Sequence, residues 1–376
     1  MYIERAVDLH KLVCKGKVVL ILGPRQVGKT TLVERFMESL PPDRKVLYVS
    51  GEDWDVYEYL SQNSLSKLRQ FIGDNEILIV DEAHKVPNIG FSFKLIVDMI
   101  KDVSVIATGS SSFGLLGQVG EPLVGRKRTV KLYPVSVMEL IPYLGGRFEL
   151  MRSLDEILIY GMYPEVIVSK DVKRKREILE EIVNSYLLKD VFEIEGLKRS
   201  HILVDMLKML ALQVGNEVSL SEIGAVVGLN KKTVARYLSI LEEAFILYRL
   251  PPYSRNLRNA ITKKSKYYFY DVGVRNAIIR NFNPLSFRDD IGRLWENFLV
   301  IERLKKQSYK GIYSNNYFWR SYSGGEVDWV EERDGKLLGY EFKYSAKRVK
   351  VPKHWAEVSN AEFEVITREN FLDFVS

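Results

Sequence analysis

Lys17-Val-Val-Leu-Ile-Leu-Gly-Pro-Arg-Gln-Val-Gly-Lys-Thr-Thr31 decides the fold. An apolar run enters a turn carrying Gly23, Gly28, Lys29 and Thr30, and Leu32, Val33 and Phe36 leave it at helical spacing. This is G-x-x-x-x-G-K-[ST] in its required setting between a strand and a helix. Gly28 lets the backbone close, so amide N–H groups and a helix N-terminus face negative charge. The expected lining of a phosphate chain is Gly23, Pro24, Arg25, Gln26, Val27, Gly28, Lys29, Thr30 and Thr31. Lys29 would reach the β- and γ-phosphates, and the Thr30 hydroxyl would ligate Mg²⁺. ATP or ADP with Mg²⁺ are the ligands this chemistry calls for.

Working outward, five β-rich runs alternate with helical patterns: Val18–Leu22, Lys45–Val49, Ile77–Val80, Val103–Ala107 and Thr129–Leu132. That alternation predicts an α/β domain with a parallel sheet, and the near-continuous apolar runs predict strands covered on both faces. The third run delivers Asp81 and Glu82, the Walker B arrangement. Asp81 is expected to hold Mg²⁺ through water and Glu82 to polarise the attacking water. The fourth ends in Thr108-Gly-Ser-Ser, where Ser110, with Thr108 as the alternative, is placed to read the γ-phosphate.

The chain has 376 residues, enough for two or three domains, with a net charge of +6. No apolar stretch approaches the ~20 residues a membrane helix needs, and the charged N-terminus lacks a signal-peptide core. A cytoplasmic protein with no membrane partner is expected. The one cysteine, Cys14, excludes an internal disulfide and a cysteine metal cluster, and is expected on the first helix. Basic clusters lie at 173–176, 231–232, 255–266 and 343–353; the first is expected to be a solvated helix start.

The residues 23–31, Asp-Glu-Ala-His at 81–84, Thr-Gly-Ser-Ser at 108–111 and Gly-Arg at 125–126 make the chain resemble a family. Leu-Tyr-Pro-Val-Ser-Val-Met-Glu-Leu at 132–140 and Tyr-Gly-Met-Tyr-Pro-Glu at 160–165 extend the likeness. It resembles the prokaryotic AAA+ P-loop ATPases, common in archaea, that are fused to a C-terminal domain of unknown function. The resemblance implies a RecA-like core with strand order 5-1-4-3-2, a helical lid, ATP hydrolysis and possible homo-oligomers. It also implies an arginine finger, for which Arg126, with Arg128 as the fallback, lies in the expected place before the fifth strand. The ATPase core is expected over 1–150 and the lid over 151–198, with positions 178, 179, 182, 183, 186 and 187 on one helical face.

Residues 199–265 carry a winged helix-turn-helix pattern: helices over Leu203–Val214, from near Ser221, and from Lys231, with Gly228 and Asn230 as turn and N-cap. Val234, Tyr237, Leu238 and Leu241 are expected inside. Lys231, Lys232, Thr233 and Arg236 are then left on a DNA-facing surface. Such modules also serve in protein packing, and both readings stay open. Phe245–Arg249 and Lys266–Tyr270 would form the wing strands, joined through a basic linker with Arg255, Arg258, Lys263 and Lys264.

Residues 266–376 match a PD-(D/E)xK nuclease-like pattern: a helix with Glu296, a strand with Asp328, and a second strand with Glu341-x-Lys343. Strand alternation puts Glu341 and Lys343 on one face. Glu296, Asp328 and Glu341 with Lys343 are the parts that hold Mg²⁺ and activate water against a phosphodiester. The whole predicts a RecA/AAA+-type α/β P-loop domain with a helical lid, then a winged helix and a small α/β nuclease-like domain. The function expected is an Mg²⁺-dependent ATPase coupled to DNA. The alternative is a nucleotide-gated regulatory or scaffold protein, in stress or defence, with an inactive or DNA-cleaving nuclease-like part.

Overall fold

The computed structural model describes residues 2–110, 122–187, 200–254, 264–321, 324–345, 349–358 and 360–376. Ser111, the linker residues Arg255, Arg258 and Lys263, and the lid beyond 187 up to 199 lie outside them. The chain divides into two compact units: Arg5–Tyr133 with Glu243–Phe245, and Met1–Glu4, Pro134–Glu242 and Ile246–Ser376. The first division falls at 133/134. Among the described residues no helix is long and apolar enough to cross a membrane.

The first unit contains α1 (Leu9–Leu12), β1 (Val18–Leu22), α2 (Lys29–Glu38), β2 (Val46–Ser50), α3 (Trp54–Ser61), α4 (Leu65–Ile72), β3 (Ile77–Asp81), α5 (Ile89–Met99), β4 (Ser104–Gly109) and β5 (Lys127–Lys131). Every pairing is parallel and the order is β2-β3-β4-β1-β5, the predicted 5-1-4-3-2. Every residue of β1, β3 and β4 is buried, whereas the edge strand β5, Lys127-Arg-Thr-Val-Lys131, carries the cations. Charge on an edge discourages further strand pairing. Cys14 follows α1 instead of lying in it, and is half-buried.

The second unit begins with α6 (Val137–Leu144), α7 (Arg147–Tyr160), α8 (Pro164–Val168) and α9 (Val172–Glu181), which runs into a π turn over Ile182–Leu187. Next come α10 (Ser200–Leu212), β6 (Glu217–Val218), α11 (Leu220–Val227), α12 (Lys231–Glu243), β7 (Leu247–Leu250) and β8 (Ser265–Phe269). These three strands form an antiparallel sheet ordered β6-β8-β7. Last are α13 (Val272–Ile278), α14 (Ile291–Lys310), β9 (Asn315–Arg320), β10 (Glu326–Arg333), β11 (Lys336–Phe342), α15 (Lys353–Ala356), β12 (Ala361–Ile366) and α16 (Phe371–Val375). The mixed sheet is ordered β12-β11-β10-β9, with only β11 and β12 parallel. Lys175, expected in a solvated helix start, is instead 5% exposed, because its ammonium reaches Glu156 at 2.7 Å.

The helix α14 is the axis of this unit, and it buries charges as well as Leu294, Trp295 and Phe298. A carboxylate out of water needs partners, and each has them. Glu302 accepts the Val137 N–H and is held by Lys305, which also donates to the Val135 carbonyl. Arg303 clasps Glu331 of β10 through two nitrogens, and Asn297 bridges the N–H and C=O of Phe269. The Tyr160-Gly-Met-Tyr segment is locked similarly. Asp271 accepts the Met162 N–H, and Asn276 donates to the Leu158 and Ile159 carbonyls at the end of α7.

Gly161 sits at φ +72, and a Cβ there would lie 2.0 Å from Asp271 Oδ1. Left-handed backbone alone costs a non-glycine residue about 1–3 kcal/mol, and the collision adds to it. Gly161→Ala is therefore expected to destabilise the protein by at least ~2 kcal/mol, read as a lowered urea midpoint at unchanged slope. A midpoint equal to that of the wild type would contradict the packing described.

Candidate functional site

In the first unit the turn after β1 meets the turn after β3 at the carboxyl edge of the sheet, where ligands of open α/β sheets bind. Gly23 is required by a close crossing: a Cβ would lie 2.0 Å from the Leu132 carbonyl oxygen. Gly28 takes φ +90 as the N-cap of α2, which leaves the first-turn N–H groups facing outward. Lys29, 5% exposed, curls back so that Nζ donates to the Gly23 and Pro24 carbonyls, each at 3.0 Å.

Asp81 gathers three hydroxyls. Thr30 donates to its Oδ2 at 2.8 Å, Tyr48 to the same oxygen at 3.1 Å, and Thr108 to Oδ1. Thr108 also accepts the Glu82 N–H at 3.0 Å, so the tip of β4 holds both acids in place. Glu82 adopts left-handed backbone, φ 50, and its Oε2 lies 3.2 Å from His84 Nδ1. That contact has ion-pair distance without hydrogen-bond alignment. Burial, partly opposed by Lys29, raises the Glu82 pKa. Ser110 lies beside His84 Nε2 at 3.5 Å, the outer limit of a hydrogen bond. Of the two candidate γ-phosphate readers, Thr108 is thus joined to Asp81 and Ser110 to His84.

Arg126 stands elsewhere. Its carbonyl accepts the Val18 N–H, so it lies at the amino edge of the sheet, with the whole of β1, about 16 Å, between it and the loop. Its guanidinium pairs with Asp98 at 2.6 Å. Arg126 cannot reach the loop of its own chain. Arg128 is spent on the Lys11 and Leu12 carbonyls.

Two contributors carry no sequence signal. Arg5, 8% exposed, donates to the Val27 and Tyr133 carbonyls, both at 2.6 Å, and so clamps the loop to the segment that crosses it. Tyr48 belongs to a strand chosen for its apolar pattern, and only the parallel register brings its hydroxyl to Asp81.

In the second unit α12 starts where expected. Asn230 accepts from the Thr233 N–H and from its hydroxyl, so Thr233 is engaged in capping. Lys231, Lys232 and Arg236 are exposed, while Val234, Leu238 and Leu241 are buried and Tyr237 is half-buried.

The four residues of the nuclease-like pattern come together, with Lys266, expected only at the start of a wing strand, and with Glu326. Asp328 accepts the Phe342 N–H and Glu341 accepts from Lys343 at 2.7 Å. Glu296 accepts from Tyr268 at 2.6 Å and Lys266 at 3.1 Å. Asp328 is raised by burial and then by the Glu296 charge, against the pull of Lys266. Burial first, then the Asp328 charge, push Glu341 up to about 7.

A P-loop, a Walker B acid pair and a parallel sheet ordered 5-1-4-3-2 define a nucleotide-site fold of the AAA+ ATPase class. Residues 15–141 match the family described as an AAA domain. Residues 151–285 and 291–366 match two domains of unknown function, DUF8612 and DUF4143. Uncharacterized proteins are similar over most of their length. One from Mycobacterium tuberculosis is 24% identical over 352 residues, 91% of this chain and 74% of that one. One from Haemophilus influenzae is 27% identical over 312 residues, covering 77% and 74%. AMPPCP-bound DnaA from Aquifex aeolicus is a more distant likeness, 17% identical over 62% of this chain and 84% of that one, with a TM-score of 0.31.

Glu341 gives a pH test with a definite sign. Its folded pKa, about 7, lies above the ordinary 4.5, so its contribution to stability is present below 4.5 and lost as pH rises toward 7. Glu341→Gln is expected to raise the melting temperature relative to wild type at about pH 8 and to leave it unchanged at about pH 4. An equal effect at both would contradict the buried charge.

Proposed function

We propose that the chain is an Mg²⁺-dependent ATPase whose turnover is coupled to DNA. The observation that carries the reading is Asp81 holding the Thr30 hydroxyl at 2.8 Å behind the phosphate loop. In that arrangement Thr30 would supply a ligand to Mg²⁺ and Asp81 would orient its hydroxyl, and the ion would supply charge neutralisation on the phosphates. The loop's Gly23, Pro24, Arg25, Gln26, Val27, Gly28 and Thr31 bind the phosphates through backbone N–H groups and the α2 N-terminus. Lys29 swings from the Gly23 and Pro24 carbonyls onto the β- and γ-phosphates. Glu82, with its raised pKa beside the loop, takes a proton from the attacking water, and Ser110 reads the γ-phosphate.

Arg126 faces away from its own site and serves a neighbouring copy, so the working form is a homo-oligomer. Helix–strand–helix–helix–strand–strand over 200–269 is read as a winged helix, with Lys231, Lys232 and Arg236 on phosphates and Thr233 as the N-cap contact. The α14–β12 body is read as nuclease-like.

Lys29→Ala is expected to abolish ATP turnover. Glu82→Gln is expected to keep ATP binding while lowering turnover about 10²-fold or more. Duplex DNA should stimulate the wild type and lose this effect as salt rises. Turnover in Glu82→Gln equal to wild type would remove Glu82 as the base, and a rate indifferent to duplex, single-stranded and branched DNA would remove DNA as the partner. Arg126→Ala and Lys29→Ala, each inactive alone, should regain partial activity when mixed, because one shared interface then has an intact loop and an intact finger.

A further inference from the structure

The nuclease-like reading carries an expectation that Glu296, Asp328 and Glu341 hold a divalent cation, and their surroundings do not fit it. Beside Glu296 and Asp328 stands an ammonium. Lys266 Nζ lies 2.6 Å from Glu326, 3.1 Å from Glu296 and 3.8 Å from Asp328, and the side chain is 2% exposed. It comes from β8, outside the sheet that carries the nuclease-like pattern, and that strand is held on both sides by β6 and β7. Its Nζ rests 5.4 Å from the centre of the Phe318 ring.

One oxygen of each acid is already engaged. Asp328 Oδ2 takes the Phe342 N–H at 2.8 Å, Glu341 Oε1 takes Lys343, and Glu296 Oε1 takes Tyr268 as well as Lys266. Gly215 closes over Glu296 so tightly that a Cβ there would lie 2.8 Å from Oε2. Among the described residues no group of three His, Cys, Asp or Glu is arranged to hold a metal ion. Mg²⁺ demands near-octahedral oxygens at about 2.0–2.1 Å and keeps several waters. Glu341 Oε2 stays without a hydrogen-bond partner, yet the charge of Glu296 and Asp328 is already answered by the Lys266 ammonium.

We propose that Lys266 is a permanent internal cation standing where a divalent metal would sit, so that the nuclease-like body binds without cutting. The proposal deepens the nuclease-like reading above and rests on it. An ammonium compensates the carboxylates but offers no coordination position for a water, so no hydroxide is generated against a phosphodiester. The same contact ties β8, the last strand of the small sheet, to β10 and α14. A charge that would otherwise serve chemistry joins the helix-turn-helix to the mixed sheet.

The test uses the full chain carrying Asp81→Asn, without nucleotide, so that the ATP site contributes no metal. Free Mn²⁺ is followed by electron paramagnetic resonance during titration. The expected result is no bound Mn²⁺, and no difference on adding Asp328→Asn. One Mn²⁺ per chain, lost with Asp328→Asn, would overturn the internal-cation proposal while leaving the nuclease-like reading intact. This arm does not require any Lys266 variant to fold. Adding Lys266→Met to the Asp81→Asn chain is expected to create one Mn²⁺ site that Asp328→Asn removes. A Lys266→Met chain with a native circular dichroism spectrum and no Mn²⁺ site would sink both the proposal and the nuclease-like reading. Plasmid nicking by the wild type in Mn²⁺, absent in Glu341→Ala, would overturn the proposal directly. None of these readouts depends on ATP turnover, so the ATPase reading stands or falls separately.

Discussion

Burial of β1, β3 and β4 on both faces is the constraint on which the first unit depends. Side chains in the middle of those strands are apolar, because an unpartnered polar group there would cost free energy that nothing repays. Polar chemistry therefore emerges where the strands end. Asp81 and Thr108 are the first residues along β3 and β4 at which polar side chains meet, and each satisfies the other. Thr30 and Tyr48 complete the set of donors to Asp81. The phosphate loop is shaped by the same crowding, since Gly23 must lie against the Leu132 carbonyl and Arg5 pins the loop's Val27 carbonyl.

The second unit solves a different problem. Its central helix α14 is buried nearly all round and yet carries Glu302, Arg303 and Lys305. Those charges are tolerable because each is matched by a group on another element, namely the start of α6, β10 and the chain end. Burying matched charges specifies one arrangement, since any shift in register leaves an ion unpaired at several kcal/mol. The Tyr160-Gly-Met-Tyr stretch belongs to this set: Gly161 makes room for Asp271, which takes the Met162 N–H. Motifs that identify a family by their letters are here contacts between distant parts of one body.

The phosphate loop, Asp81, Glu82 and the Asn230 cap were legible because each is written in local spacing, in period, turn residues and caps, whereas the strand order came from the family resemblance alone. Arg5, Tyr48, Lys266 and Glu326 were not, because nothing adjacent in sequence distinguishes a buried, partnered charge from a solvated one. Lys175 shows the same limit, since a run of four cations reads as a wet surface until Glu156 is found beside one of them. Arg126 directly precedes the fifth strand, and only the parallel register puts it at the opposite edge of the sheet from the loop.

The sequence by itself determined that a parallel sheet presents a phosphate loop with two acids beside it, because hydrophobic period and glycine placement are local properties of the chain. It also determined the helix that follows Asn230 and a strand pair bearing Asp328 and Glu341. The tertiary structure alone decided which charges meet. It put three hydroxyls on Asp81, packed α6 to α9 and the mixed sheet into one unit, and seated Lys266 beside Glu296, Glu326 and Asp328. Electrostatic pairing acts through space, and burial sets its strength, so no spacing along the chain can reveal it before the elements have packed.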